Sequence, residues 1–354
     1  MPGPQLFFAL ARICRLAALT AATVEDSSSG VGTMIVRTLA GTSVAVCCTA
    51  AGAQLAEPAH VRNLNPLVAI FGLPAWDTVP IGTRFGATVE VANHYRFSLE
   101  EDERLMLDGE TVRTNFAFSH GFASGWSLGV EVPYYKVSGG VLDDFIDGWH
   151  SAFDLPDGGR NARPEGELLY AFGEPLALSY VLTEPQTGIG DTQLKFARLI
   201  GRDQGFVVQA SVKIPTGDED LLAGSGSTDW SVTLLRTRPL LGRTRAAGYY
   251  WGVGLIRVGD PQLIDFDVET WVPTGIVGGS WQVLPEFGLK GQLDVHDAFY
   301  DSPLEEIGET AIQATLSAWR RMGQRGQIEF AIVEDLNVST APDVVFQVAA
   351  AWQW

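Results

Sequence analysis

Past residue 48 this sequence has no cysteine: Cys14, Cys47 and Cys48 are its full complement. A disulfide framework and a thiolate-held zinc or iron–sulfur centre are therefore excluded from the rest of the chain. Positive charge is also short, with 24 Lys+Arg against 42 Asp+Glu and a net charge of −18. Phosphate binding needs a basic face, so nucleic acid is not expected as a partner. Long hydrophobic runs are missing as well. After residue 53 none approaches the roughly 20 apolar residues that a membrane helix requires. Catalytic signatures are absent too: there is no G-x-S-x-G elbow, no nucleotide-binding glycine pattern opening a helix, and no Ser/His pair at an informative spacing. These absences predict a protein that is not an enzyme and uses no cofactor.

What is present begins with glycine, 39 of 354 residues, which argues against a protein of long helices. The stretch "MIVRTLAGTSVAVCCTAAGA", residues 34–53, has one Arg, a short apolar core and "AGA" before Gln54. That is the layout of a cleaved secretory signal. A membrane anchor fits less well, because Gly and Thr break the apolar core. A lipoprotein signal at Cys47 fits less well, because Val44 and Val46 stand where small residues are wanted. Residues 1–33 read as a spurious extension before Met34, and residues 1–53 as the targeting segment. Residues 54–82 then form a periplasmic or lumenal segment, and 83–354 the main domain.

Alternation dominates that domain. In "RFGATVEVANHYRFS", Phe85, Val89, Val91 and Phe97 share one face, while Arg84, Glu90, His94 and Arg96 share the other. Period two with opposite chemistries describes a strand between two environments. The same pattern recurs in "FVVQASVKI", "FGLKGQLDVH", "AIQATLSAW" and the terminal "VVFQVAAAWQW". Strands are predicted at 83–98, 110–122, 125–135, 189–200, 205–215, 227–238, 245–257, 272–283, 286–297, 309–321, 327–335 and 343–354. Their connections alternate. Short turns lie near 123, 201, 239, 284 and 322. Longer loops lie at 99–109, 136–188, 216–226, 258–271, 298–308 and 336–342. About twelve strands, with short turns on one side and longer loops on the other, make the plan of a transmembrane antiparallel up-and-down β-barrel. Trp126, Tyr134, Trp230, Trp281, Trp319 and Trp352 stand near strand ends, where Trp and Tyr suit the headgroup level. A soluble β-sandwich has the alternation without these accompaniments. The last strand must pair with the first, because lipid cannot satisfy an open edge. Its terminal Trp354 is then expected at the inner interface of a Gram-negative outer membrane, as an aromatic read by the barrel-assembly machinery.

Two stretches also point to a family. "RNLNPLVAIFGLP" at 62–74 and the run from "LDGETVRTNFAFSHG" to "LDDFIDGWHSAFDLPDGGRNARPEGELLY" at 107–170 resemble the proteobacterial barrel family known as domain of unknown function 3187. "GIGDTQLKFA" and "KIPTGD" add weaker support. The resemblance implies an outer-membrane barrel and supplies no activity, so no catalytic residue carries over.

The candidate site is the lumen. Arg84, Glu90, His94, Arg96, Glu131, Lys195, Lys213, Lys290, Asp294 and His296 are assigned to inward faces. Mixed charge there suits a polar passage. About twelve strands lies between a filled barrel and an open channel, so a narrow or occluded lumen is expected. In the 136–188 loop, Phe145, Trp149 and Phe153 recur at helical spacing, with His150 beside them; these form a rim cap or a ligand-contacting lid. His150 among nearby aspartates also raises a divalent-metal site, against the plainer reading of a solvated acidic loop. Residues 61–76 hold Leu67, Ile70, Phe71 and Trp76, too much apolar surface for a free tail. They are expected to tuck into the periplasmic mouth as a hatch, with packing outside the inner rim as the alternative. The expected function is a channel or facilitator for a small solute, in contact with outer-membrane lipid and lipopolysaccharide. A non-conducting structural or surface-interaction protein is the main alternative, and a lipid-modifying enzyme or protease the third.

Overall fold

The computed structural model describes residues 57–100, 102–140, 166–174, 176–201, 205–241, 246–337 and 339–354. The expected targeting segment and the lid candidates Phe145, Trp149, His150 and Phe153, with the metal site considered at His150, lie outside the described residues.

The strands are β1 (Gly82–Glu100), β2 (Glu103–Gly121), β3 (Trp126–Ser138), β4 (Leu169–Glu174), β5 (Ala177–Leu182), β6 (Gln186–Ile189), β7 (Thr192–Ile200) and β8 (Phe206–Ile214). They continue as β9 (Asp229–Leu241), β10 (Ala246–Arg257), β11 (Trp271–Leu284), β12 (Phe287–His296), β13 (Ala311–Met322), β14 (Gly326–Asp335) and β15 (Val344–Gln353). One helical turn, α1 (Glu305–Gly308), precedes β13. Twelve strands close into an antiparallel up-and-down barrel, with β4, β5 and β6 added at one rim. The seam is β1 on β15, with Val89 opposite Val348 and Phe85 opposite Trp352. Thr83 and Trp354 exchange backbone hydrogen bonds of 3.0 and 2.9 Å, so pairing runs to the last residue. No strand edge then faces lipid along the seam.

Side-chain chemistry follows the pleat. In β8, Val207, Gln209, Ser211 and Lys213 are buried on the inner face, while Ala210 is exposed and Val208 and Val212 are partly exposed between them. Phe116, Phe196, Phe330 and Val348 are exposed on the outer wall, as lipid-facing residues must be. Trp281 and Trp352 stand exposed toward one end, Trp230 and Trp271 toward the other. The first end holds Gly82, Trp354 and the short connections at 122–125, 285–286 and 323–325, and is termed the turn end. The opposite rim is the loop end.

Three expectations need correction. The 99–109 stretch is not a loop. β1 and β2 continue to a tight turn, with Glu100 opposite Glu103. They continue because alternation persists beyond the lipid-facing belt: Leu105 and Leu107 are buried and need a partner face. Nor is 136–188 all loop. β4 pairs with β2 from Arg104/Gly173 to Asp108/Leu169, β5 pairs with β4, and β6 continues β7 along β3. Finally, Trp319 is not an interfacial aromatic. It shares the inner face of β13 with Gln313, Thr315 and Ser317, is 2% exposed, and packs against Gly288.

The loop end is roofed by an apolar core. Leu105, Leu107, Tyr170 and Phe172 from the raised wall meet Leu221, Phe266, Phe299, Tyr300 and Ile307 from the loops. Five side chains between Leu67 and Leu73 complete this core from below, and they come from the segment that precedes β1.

Candidate functional site

Residues 57–80 run inside the barrel. Pro58, Pro66, Pro74 and Pro80 punctuate this stretch. Proline lacks the N–H that a ladder needs, so the segment does not join the wall as a strand. Its backbone polar groups must then find other partners, since buried ones are seldom left bare. The inner wall supplies many of them.

The ascending limb begins at the turn end, where Glu57 pairs with Arg84 near the start of β1. At mid-height the Gln292 side chain accepts from Ala59 N at 2.9 Å and donates to Ala59 O at 3.1 Å. Near the loop end, Asn63 Nδ2 donates to Thr340 O at 2.9 Å and meets His296 Nε2 at 3.0 Å. Asn65 Nδ2 donates to Glu306 O in α1 at 3.0 Å. The chain turns there: Asn65 O accepts from Val68 N and Ala69 N, both at 2.8 Å. Arg62 reaches across to Leu73 O at 2.8 Å and ties the two limbs together.

The tip packs into the loop-end core. Phe71 stacks on Phe299 with ring centroids 4.7 Å apart and lies 5.5 Å from Tyr300. Tyr300 Oη donates to Leu67 O at 2.7 Å. Burial, with Asp229 nearby, pushes the Tyr300 hydroxyl well above its ordinary pKa, so it remains a donor. Gly72 brings the backbone against the wall. A Cβ there would lie 3.0 Å from Asp229 Cβ and 3.1 Å from Lys213 Cβ. Gly72 N donates to Asp229 Oδ2 at 2.7 Å, and Lys213 Nζ donates to Ile70 O at 2.9 Å.

The descending limb returns through polar contacts and one apolar one. Gln193 donates to Leu73 O at 3.2 Å and Gln209 to Ala75 O at 2.9 Å. Trp76 packs with Tyr250, Leu235 and Ile276, over Gly252, where a Cβ would come within 2.6 Å of its ring. Asp77 then pairs with Lys195 and stands 3.5 Å from His60 of the other limb.

All ten lumen candidates lie on inner faces. Five of their ion pairs belong to the wall alone: Arg113 with Glu90 at 2.5 Å, Lys290 with Glu329 at 2.7 Å, Lys195 with Glu131 at 2.6 Å, and Lys213 with Asp191 and Asp229 at 2.9 and 3.1 Å. Arg96 pairs with Asp343 at 2.5 Å near the loop end. His94 Nε2 meets Thr111 Oγ1 at 3.1 Å, and Asp294 accepts from Gln292 at 2.9 Å. Cavities of about 10, 20 and 30 Å³ flank the segment; each has room for about one or two waters. Among the described residues, no group of three or more His, Cys, Asp or Glu is placed to hold a metal.

The hatch expectation is corrected in position. Leu67, Ile70 and Phe71 lie at the loop end and Trp76 lower in the lumen, rather than all at the turn-end mouth, because the matching apolar surface is the loop-end core. Sequence reasoning missed Glu57, Asp77, Arg113, Asp191, Asp229 and Glu329. Arg113 was within reach: in "TVRTNFAF" it alternates with Val112 and shares a face with Thr111 and Asn115. Glu57 and Asp77 had no such signal, since the irregular segment has no period.

A family model described as protein of unknown function (DUF3187) matches residues 35–354. No curated protein matches the chain. Solved structures similar to it include an outer membrane channel from Pseudomonas putida F1, at 12% identity and TM-score 0.46, covering 80% of this chain and 99% of that one. The NanC porin is 8% identical with TM-score 0.42, covering 77% and 100%. The KdgM porin is 11% identical with TM-score 0.39, covering 77% and 99%.

Proposed function

The chain belongs to the DUF3187 family, and for it we propose an outer-membrane barrel that passes a small polar solute, with residues 57–80 as an internal gate. One observation carries this reading. The wall meets most of the segment with charged and amide side chains, and its cations Arg113, Lys213 and Lys290 draw their carboxylates from the wall alone. Most of such a wall stays satisfied when water replaces the segment, as an apolar wall would not. The turn end faces the periplasm, where strand termini and short turns lie in this barrel class. Trp354 there serves the barrel-assembly machinery, and the acidic loops face lipopolysaccharide. Passage needs no chemical step, and the protein acts as no enzyme.

The alternative of a non-conducting surface or structural protein has one observation in its favour: the segment occupies the lumen from the turn end to the loop end. Single-channel recording of refolded protein separates the two. The full chain is expected to conduct little, and deletion of residues 61–76 to raise conductance severalfold. A folded deletion variant that conducts no better than the full chain would leave the non-conducting reading standing.

A further inference from the structure

Two wall cations differ from the rest. Arg84 takes its carboxylate from the segment, through Glu57. Lys195 is shared between Glu131 of the wall and Asp77 of the segment. Arg113, Lys213 and Lys290 draw carboxylates only from the wall. When the segment shifts, Arg84 loses its carboxylate and Lys195 loses one of two. A largely covered charge left without its counter-charge is costly, so release of the segment favours a replacement anion.

We propose that Arg84 and Lys195 form a binding site for a small hydroxylated carboxylate, which Glu57 and Asp77 occupy in its absence. This rests on the gated-passage reading and names the solute class. A second observation supports it. The cavity of about 30 Å³ beside Glu57 is lined by Arg84, Lys290, Gln327 and Gln347. Gln327 and Gln347 are buried there, and their Oε1 atoms have no protein partner. Gln327 Nε2 faces Glu329 at 3.3 Å, which orients its oxygen as a free acceptor. Acceptors next to cations suit a solute that carries hydroxyl donors as well as an anionic group. The carboxylate arm of such a solute takes the place of Glu57 on Arg84, and its hydroxyls meet the glutamines. The exposed Asp218 and Asp220 stand at the opposite rim, where solvent and salt screen them over about 8–10 Å.

Equilibrium binding of gluconate to the refolded full chain tests this, with sorbitol as the uncharged counterpart. The Glu57→Gln/Asp77→Gln pair removes the competing carboxylates while leaving the wall intact. It is expected to bind gluconate about tenfold or more tightly than the unmodified chain, the effect of one charge-assisted contact released from competition. Adding Arg84→Gln and Lys195→Gln should abolish that gain, and Arg84→Lys should keep most of it. Sorbitol should bind to none of them. Equal gluconate affinity with and without the segment carboxylates, or sorbitol binding as well as gluconate, overturns the proposal. Because binding is read here and conductance above, a protein that conducts without gluconate preference refutes the site alone. A protein that binds gluconate without conducting refutes the passage.

Discussion

The two halves of the lumenal segment are held by different forces. Its tip, from Leu67 to Leu73, is fixed by apolar packing beneath the loop-end roof, with Phe71 flat against Phe299. Its limbs, from Glu57 to Asn63 and from Pro74 to Pro80, are held mainly by side chains of the wall reaching for backbone atoms and carboxylates. Five buried apolar side chains at about 1.5–3 kcal/mol each make the tip costly to wet. A wall-to-backbone hydrogen bond contributes only about 0.5–1.5 kcal/mol net, because water can replace it. On the proposed gated passage, this difference makes the tip the anchor and the limbs the part expected to move first, so opening is expected to begin at the turn end.

Substitutions can break or sharpen this contrast. The largest effect is expected at the anchor. Phe71→Ala should destabilise the loop-end core by about 3–5 kcal/mol, read as a lower unfolding midpoint in denaturant. It should also raise channel opening, since it frees the half that resists wetting. A smaller loss is expected on the outer face, which serves as a control outside the lumen. Val208→Arg meets lipid and should cost about 2–4 kcal/mol in refolding equilibria, with no specific change in the segment. The smallest effect belongs to a limb. Gln209→Ala removes the donor to Ala75 O and should cost about 1 kcal/mol. It should nevertheless increase opening events in bilayer recordings, because it acts where motion starts. Equal stability losses for Phe71→Ala and Gln209→Ala would dissolve the distinction between anchor and limb.

The strands were legible because lipid and lumen impose opposite chemistries at period two, as Val208 beside Gln209 illustrates. The rim was not. Leu105 and Leu107 continue the same alternation above the lipid-facing belt, where it serves a loop-end core instead, and nothing local marks the change. Trp319 was misread for a related reason. Aromatic identity near a strand end suggested the interface, while its parity placed it inside against Gly288. The ten lumen candidates were found by parity alone. The partners that give them meaning, Glu57 and Asp77, sit in a segment whose prolines erase any period. The apolar excess of residues 61–76 said that they must be covered; only the loop-end core, assembled from distant strands and loops, said where.

Amide hydrogen exchange across residues 64–73 of the refolded protein tests the central claim, that this segment is built into the lumen. Outside the barrel, so short a stretch with no strand pairing would exchange at the rate of an open chain. Inside it, Val68, Ala69, Phe71 and Leu73 donate to segment carbonyls, Leu67 to Asn65 Oδ1 and Gly72 to Asp229. The account predicts slow exchange at these amides, comparable to the neighbouring barrel strands and slower than at the limbs. Rapid exchange throughout 64–73 in a barrel whose strands remain protected would contradict it.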